Sequence, residues 1–163
     1  MVEGTIPDKP RPASPEGWNP DSEIRVERVV LWYNDAMTKA VDNWLTSSEY
    51  DIKTAQALLK SRRYIYVIFM CHLSVEKALK ALVVKRLKKV APKTHDLLYL
   101  ASLAGVKIPK DHESIMAHLN EASVPTRYPE DISRLVKSYN KRAAERYLRE
   151  TKDLLKWLRA QIE

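Results

Sequence analysis

Four polar side chains lie close together on one predicted helix and are the first candidates for chemistry. The stretch Tyr64–Lys89, YIYVIFMCHLSVEKALKALVVKRLKK, is apolar around most of a helix, yet it contains His72, Glu76, Lys77 and Lys80. His72, Glu76 and Lys80 follow one another at four-residue steps, so they share one edge of the helix, and Glu76 precedes Lys80 in the order that favours an ion pair. Two interpretations stay open: a structural ion pair beside a satisfied histidine, or a half-buried polar pocket.

A run of positive charge begins at the same place. Between Lys77 and Lys93 seven residues are basic and none is acidic. Cations near the C-terminus of a helix oppose its partial negative charge, so several of them are explained by the helix alone. Seven is more than capping requires, and an anionic ligand or partner at this end of the helix is therefore a hypothesis.

The composition predicts one helical domain in a reducing compartment. A chain of 163 residues with 45% hydrophobic residues and only 3 glycines can bury a single core and is unlike a turn-rich β-protein. With one cysteine, Cys71, no disulfide forms within the chain. Neither a signal peptide nor a membrane-spanning run is apparent, so we expect a cytoplasmic protein without membrane contact.

The charge is divided unevenly along the chain. Residues 1–35 contain four Lys or Arg and seven Asp or Glu, a net charge of −3, whereas residues 36–163 contain 24 and 14, a net charge of +10. A basic body suits a nucleotide, a nucleic acid or an acidic protein surface. Solubility alone is the alternative explanation.

The elements that must position these side chains are helices. Five of nine prolines lie in the first 20 residues, so we predict a flexible, Pro-rich acidic extension at 1–33, followed by a helical bundle at 34–163. The stretch IRVERVVLWYNDAM, residues 24–37, fits either a short strand or the beginning of a helix.

Apolar residues then recur at three- and four-residue steps from about Asn34, which predicts a first long helix. The second ends near 89–92, and a short third helix follows with Thr94 as its N-cap. A short fourth helix precedes a loop, VPTRYPED at 124–131, and a last long helix begins near Asn140. The predicted fold is an all-α, up-and-down bundle of about five helices, three long and two short.

Metal and cofactor chemistry find little support. His72 and Glu76 have the helical spacing of metal ligands, and the pair His95–Asp96 is similar to the HD pair of metal phosphohydrolases. A catalytic metal needs at least three protein ligands, and no further histidine or aspartate motif supplies them. Glycine-rich phosphate loops are missing too. We therefore expect no metal and no cofactor.

Three motifs in order, CHLSVEKALKAL (71–82), KTHDLLYLASLAG (93–105) and TRYPED (126–131), precede a final helix with LLKWL. Together they resemble the HEPN domain (higher eukaryotes and prokaryotes nucleotide-binding), in the compact prokaryotic form often encoded beside a minimal nucleotidyltransferase. The resemblance spans about Met37 to Ile162. It implies a bundle that usually dimerises and has a groove near the central helix. By this analogy six residues line or border the groove: Lys77, Lys80, His95, Asp96, Arg127 and Tyr128.

Physical chemistry gives part of this set a reason to bind an anion. His95 and Asp96 lie in the first turn of a predicted helix, where free backbone N–H groups can hold an anion. Arg127 lies in a loop braced by prolines and is preorganised for a bidentate phosphate contact. The alternative is a purely structural loop in which Tyr128 packs against the bundle.

One departure from the family bears on catalysis. HEPN ribonucleases resemble one another in a motif of Arg, four to six residues, then His. Here Arg63 precedes His72 by nine positions and Arg86 precedes His95 by nine, so the motif is absent.

We therefore predict a homodimeric module that binds a nucleotide or another anion, RNA included, and has no catalytic residues of its own. Its expected partner is a minimal nucleotidyltransferase, in a toxin–antitoxin-like or stress system. The alternative is a toxin-like endoribonuclease that uses His95 and Arg127 as a general base and a phosphate-stabilising cation.

Overall fold

Every regular element that the structure describes is an α-helix. The structure is a computed structural model that describes residues 24–128 and 130–162. The all-α prediction is confirmed, and the ambiguous stretch 24–37 is helical. In chain order the helices are α1 (Ile24–Lys60), α2 (Tyr64–Leu87), α3 (Leu97–Leu103), α4 (Lys110–Arg127), α5 (Ile132–Ser138) and α6 (Lys141–Ile162).

The chain divides into two units between Tyr33 and Asn34. The described residues of the first unit, 24–33, form the beginning of α1, and the side chains from Val29 to Tyr33 are exposed. The predicted flexible extension falls mostly on residues 1–23, which lie outside the described residues. The second unit contains the rest of α1 and the five other helices. No described helix combines the length and apolarity that crossing a membrane requires.

Helix α2 is the central helix of the second unit. Of its 24 residues 15 are buried, which explains why its sequence is apolar around most of its circumference. Small side chains let α2 and α1 pack closely: Ser48 Oγ of α1 donates to the Ser74 carbonyl at 2.7 Å, and Ser74 Oγ donates to the Ser48 carbonyl at 2.8 Å. Burial raises the pKa of the Cys71 thiol to about 12, so Cys71 is a protonated packing residue.

The end of α2 and the beginning of α3 differ from the sequence prediction by a few residues. Helix α2 ends at Leu87 because Lys88 adopts the left-handed conformation, with a φ of 51°, and its N–H donates to the Val84 carbonyl. The N-cap of α3 is Asp96 and not Thr94. Thr94 Oγ1 instead accepts a hydrogen bond from the Asp96 N–H at 3.2 Å.

The first half of the predicted loop at 124–131, residues 124–127, is helical. Helix α4 continues through Pro125 to Arg127, because Ser123 and Thr126 are buried on the same helix and Thr126 Oγ1 donates to the Ala122 carbonyl at 2.7 Å. Packing therefore outweighs the local preference of the residue before a proline. The consequence for the site is that Arg127 lies in the last turn of a helix and not in a loop.

Two further helices complete the bundle. Helix α5 was not predicted, because it is only seven residues long and its apolar pattern covers less than two turns; none of its residues is buried. Its N-cap is Asp131, whose carboxylate accepts from the Arg134 N–H at 3.1 Å. Helix α6 begins where predicted, with Asn140 Oδ1 accepting from the Ala143 N–H at 3.1 Å.

Candidate functional site

Glu76 is the centre of a buried polar network on α2. Its side chain is 6% exposed, and its two oxygens have different partners: Lys80 Nζ donates to Oε1 at 2.7 Å and His95 Nδ1 donates to Oε2 at 2.8 Å. Burial raises the pKa of Glu76, but the hydrogen bonds from Lys80 and His95 outweigh burial and keep the pKa below its usual value of 4.5. Glu76 is therefore a carboxylate at neutral pH and links α2 to the segment before α3.

His72 lies one turn before Glu76 and is completely buried. Its Nε2 is 3.1 Å from the His95 carbonyl oxygen, and because a carbonyl only accepts, Nε2 carries the proton. Its Nδ1 is 4.0 Å from Glu76 Oε2 and makes no hydrogen bond. Burial, with a smaller contribution from the positive charge of Arg127, lowers the pKa of His72 to about 4. His72 is therefore neutral at physiological pH.

His95 presents its imidazole to solvent while buried groups fix its position. The side chain is 61% exposed, although Nδ1 is bound to Glu76 and the carbonyl to His72. The adjacent backbone is fixed as well, because Asn120 Oδ1 of α4 accepts from the Leu97 N–H at 3.0 Å. With Nδ1–H donated to a carboxylate, Nε2 is the ring nitrogen left for a ligand.

Arg127 of α4 places a cation against the central helix α2. Its guanidinium carbon lies 5.3 Å from the centre of the Phe69 ring. The positive charge of Arg127 also contributes to the lowered pKa of His72. Its Nε and Nη2 are buried and have no hydrogen-bond partner among the described residues. Buried donors are normally satisfied, so these two call for a ligand or an ordered water.

The His95–Arg127 site is defined here as these two residues with Phe69, His72 and Glu76. Among the described residues, no three His, Cys, Asp or Glu side chains come together as ligands of a metal ion. What the site offers is a fixed imidazole, the buried carboxylate that holds it, and a guanidinium with unused donors. Such a set can bind an anionic oxygen and exchange a proton with a bound ligand.

The residues predicted from the sequence have different environments. Lys80 is 7% exposed, is bound to Glu76 and lies 5.3 Å from the Trp44 ring centre. Lys77 forms an ion pair of 2.6 Å with Asp51 of α1. Glu76 thus joins Lys80 to His95, whereas Lys77 belongs to a separate pair.

Asp96 caps helix α3, and Tyr128 lies at the surface. The Asp96 carboxylate accepts from the backbone N–H groups of Leu98 and Tyr99 and from Asn120 Nδ2. The free N–H groups expected at the start of α3 are therefore occupied, and the expectation that they hold an anion is wrong. Tyr128 is 76% exposed and does not pack into the bundle.

Sequence reasoning did not anticipate Phe69, which belongs to the His95–Arg127 site, or Asn120, which holds the backbone beside it. Phe69 is the only phenylalanine of the chain, but nothing in its sequence context connects it with Arg127, 58 positions away. Asn120 lies on an otherwise ordinary amphipathic helix. Their roles follow from tertiary contacts alone.

The chain belongs to the HEPN domain family, whose model matches residues 41–161. Two solved structures have the same fold. One is TT1696 from Thermus thermophilus, with 24% identity, a TM-score of 0.64 and coverage of 74% of this chain and 97% of that chain. The other is ST0689, described as an archaeal HEPN homologue, with 23% identity, a TM-score of 0.63 and coverage of 76% and 98%. At such identities the likeness concerns the fold alone, and no curated protein matches the chain.

Proposed function

We propose that this HEPN domain binds the phosphate group of a nucleotide or an RNA strand at the His95–Arg127 site, without cleaving it. The observation that carries the proposal is the pair of unpartnered, buried donors on Arg127, Nε and Nη2. A guanidinium offers donors in a planar fork that matches two phosphate oxygens. The two lysines at the centre of α2, Lys77 and Lys80, are less suitable for binding phosphate, because each is already paired with a carboxylate.

His95 adds a second contact to the same phosphate. Its exposed ring is held by Glu76 and its backbone carbonyl by His72, so little side-chain freedom is lost when a ligand binds. Protonated at Nε2, the ring donates to a phosphate oxygen; neutral, it accepts from a hydroxyl.

Titration of 5′-AMP, ATP and a short single-stranded oligonucleotide at low ionic strength tests this function, since electrostatic binding is strongest there. We expect micromolar binding and a loss of about 10- to 150-fold in Arg127→Ala, because a hydrogen bond to a charged group is worth about 1.5–3 kcal/mol. Arg134→Ala, which removes an exposed arginine of α5, is the matched control and should bind normally. Equal losses in both variants, or no binding by the wild type, would contradict the proposal.

The homodimer and the minimal nucleotidyltransferase partner are proposals that rest on the family resemblance. Light scattering on the purified protein tests the dimer, and a monomer at micromolar concentration would contradict it. Co-purification from the native host, followed by identification of the captured protein, tests the partner. Recovery of partners that include no nucleotidyltransferase would count against that part.

A second candidate function, endoribonuclease, is favoured by one observation. Glu76 accepts from His95 Nδ1–H at 2.8 Å, which orients a histidine as a general base. In such a reaction His95 Nε2 would take the proton of the attacking hydroxyl while Arg127 faces the charge on the phosphate. RNA that is degraded by the wild type and left intact by His95→Ala would establish this activity; intact RNA with both proteins would reject it.

A further inference from the structure

We propose that the His95–Arg127 site continues along α2 and that Tyr66 is a stacking surface for an unpaired base beside the bound phosphate. The inference rests on the proposed phosphate binding and narrows the ligand to a single strand of at least two nucleotides. Proteins that bind single strands combine cations for the backbone with aromatic rings for the bases.

The position of Tyr66 carries the first part of the inference. Tyr66 precedes Phe69 by three residues on α2, and residues at this spacing are neighbours on a helix surface. The guanidinium of Arg127 lies 5.3 Å from the Phe69 ring centre. A base attached to a phosphate on Arg127 is therefore within about one helical turn of the Tyr66 ring.

The environment of Tyr66 leaves its ring available. Its side chain is 52% exposed, and it makes no hydrogen bond and no ring contact with any described residue. Tyr147, by contrast, is 7% exposed and stands edge-to-face with Tyr139, with ring centres 6.3 Å apart. Tyr66 thus has an open face next to the site, which a base can cover.

Arg63 extends the same surface by one more step. It lies three residues before Tyr66, is exposed, and is the N-cap of α2 without a side-chain capping bond. A cation at this position is disfavoured by the N-terminal dipole of α2 and favoured by the C-terminal dipole of α1, which ends three residues earlier at Lys60, so the two dipoles together give no strong reason for an arginine here. We assign Arg63 to the phosphate that follows the stacked base.

This arrangement distinguishes between classes of nucleic acid. A base in a duplex is already stacked and paired, so it is not free to lie on Tyr66. A mononucleotide reaches Arg127 and Tyr66 but not Arg63. A single strand of two or more nucleotides uses all three residues.

The test compares three probes: a single-stranded oligonucleotide, a blunt duplex of the same sequence, and ribose 5-phosphate, which has a phosphate and no base. Tyr66→Ala should weaken the oligonucleotide roughly 5- to 150-fold, the range expected for losing one stacked base. It should leave the affinity for ribose 5-phosphate unchanged, and Tyr66→Phe should retain most of the oligonucleotide affinity. Tyr50→Ala, at an exposed tyrosine of α1, is the matched control and should have no effect. In Arg63→Ala the slope of log affinity against log salt should fall by about one.

The outcomes separate this inference from the proposed function. Unchanged oligonucleotide affinity in Tyr66→Ala, together with weakened binding in Arg127→Ala, overturns the stacking surface and leaves phosphate binding intact. A duplex that binds as tightly as the single strand also overturns it. Unchanged binding in Arg127→Ala overturns the proposed function itself.

Discussion

Replacing His72 with glutamine should remove a defined part of the pH dependence of folding. In the folded protein burial lowers the pKa of His72 from 6.5 to about 4, whereas the unfolded chain has the ordinary value. Between these two pKa values the unfolded state binds more protons than the folded state. The stability that the neutral His72 contributes is therefore fully present above pH 6.5 and is lost as the pH falls toward 4. Each pH unit corresponds to about 1.4 kcal/mol, so the loss is about 2 kcal/mol at pH 5 and on the order of 3 kcal/mol near pH 4.

Urea unfolding at pH 7, 6 and 5 measures this effect. His72→Gln keeps an N–H donor for the His95 carbonyl but cannot titrate. Between pH 7 and pH 5 the wild type should therefore lose about 2 kcal/mol more of its free energy of unfolding than the variant does. The pKa of Glu76 is below 4.5, so its contribution to stability is lost only at lower pH. Measurements above pH 4.5 therefore report on His72 and not on Glu76. His118→Gln, at an exposed histidine of α4, should follow the wild type. Parallel curves for wild type and His72→Gln would refute the account of His72 as a buried neutral group.

Three further results are expected. Lys80→Met should destabilise the fold by about 3–5 kcal/mol, as measured by urea unfolding, because Glu76 loses a buried partner. The control Lys39→Met breaks an exposed ion pair and should cost about 1 kcal/mol or less. Similar costs for the two variants would argue against a buried network. Arg127→Ala should raise the pKa of His72, as followed by NMR of the ring protons, and an unchanged pKa would mean that the charge of Arg127 does not act on His72. Asn120→Ala should speed hydrogen exchange of the first amide of α3, and unchanged exchange would speak against this hydrogen bond.

Local patterns in the sequence predicted the helices that carry a buried face. Helix α6 was predicted to begin near Asn140, where the structure begins it, and α2 followed from its apolar run with a polar edge. The Glu76–Lys80 ion pair also followed from spacing, because i,i+4 neighbours meet on any helix. Helix α5 escaped prediction because it is only seven residues long, and Pro125 gave a misleading signal because packing of α4 overrides it.

The site depends on contacts that no local pattern contains. His95 reaches Glu76 across 19 positions, and Arg127 reaches Phe69 only because α4 passes over α2. The sequence also made both central lysines candidates for an anion, although Lys77 is engaged by Asp51, on a different helix. A count of charges shows that cations are in excess, but it does not show which of them already have a carboxylate partner. Arg127 is chosen as the phosphate-binding cation because two of its donors have none among the described residues.

The most direct test of the central claim is a double-mutant cycle on ribose 5-phosphate binding with His95→Ala, Arg127→Ala and the double variant. If the two side chains hold one phosphate, the loss in the double variant is smaller than the sum of the two single losses, with a coupling energy of about 0.5–3 kcal/mol. Losses that simply add, or a wild-type affinity that neither substitution changes, would contradict a shared phosphate site.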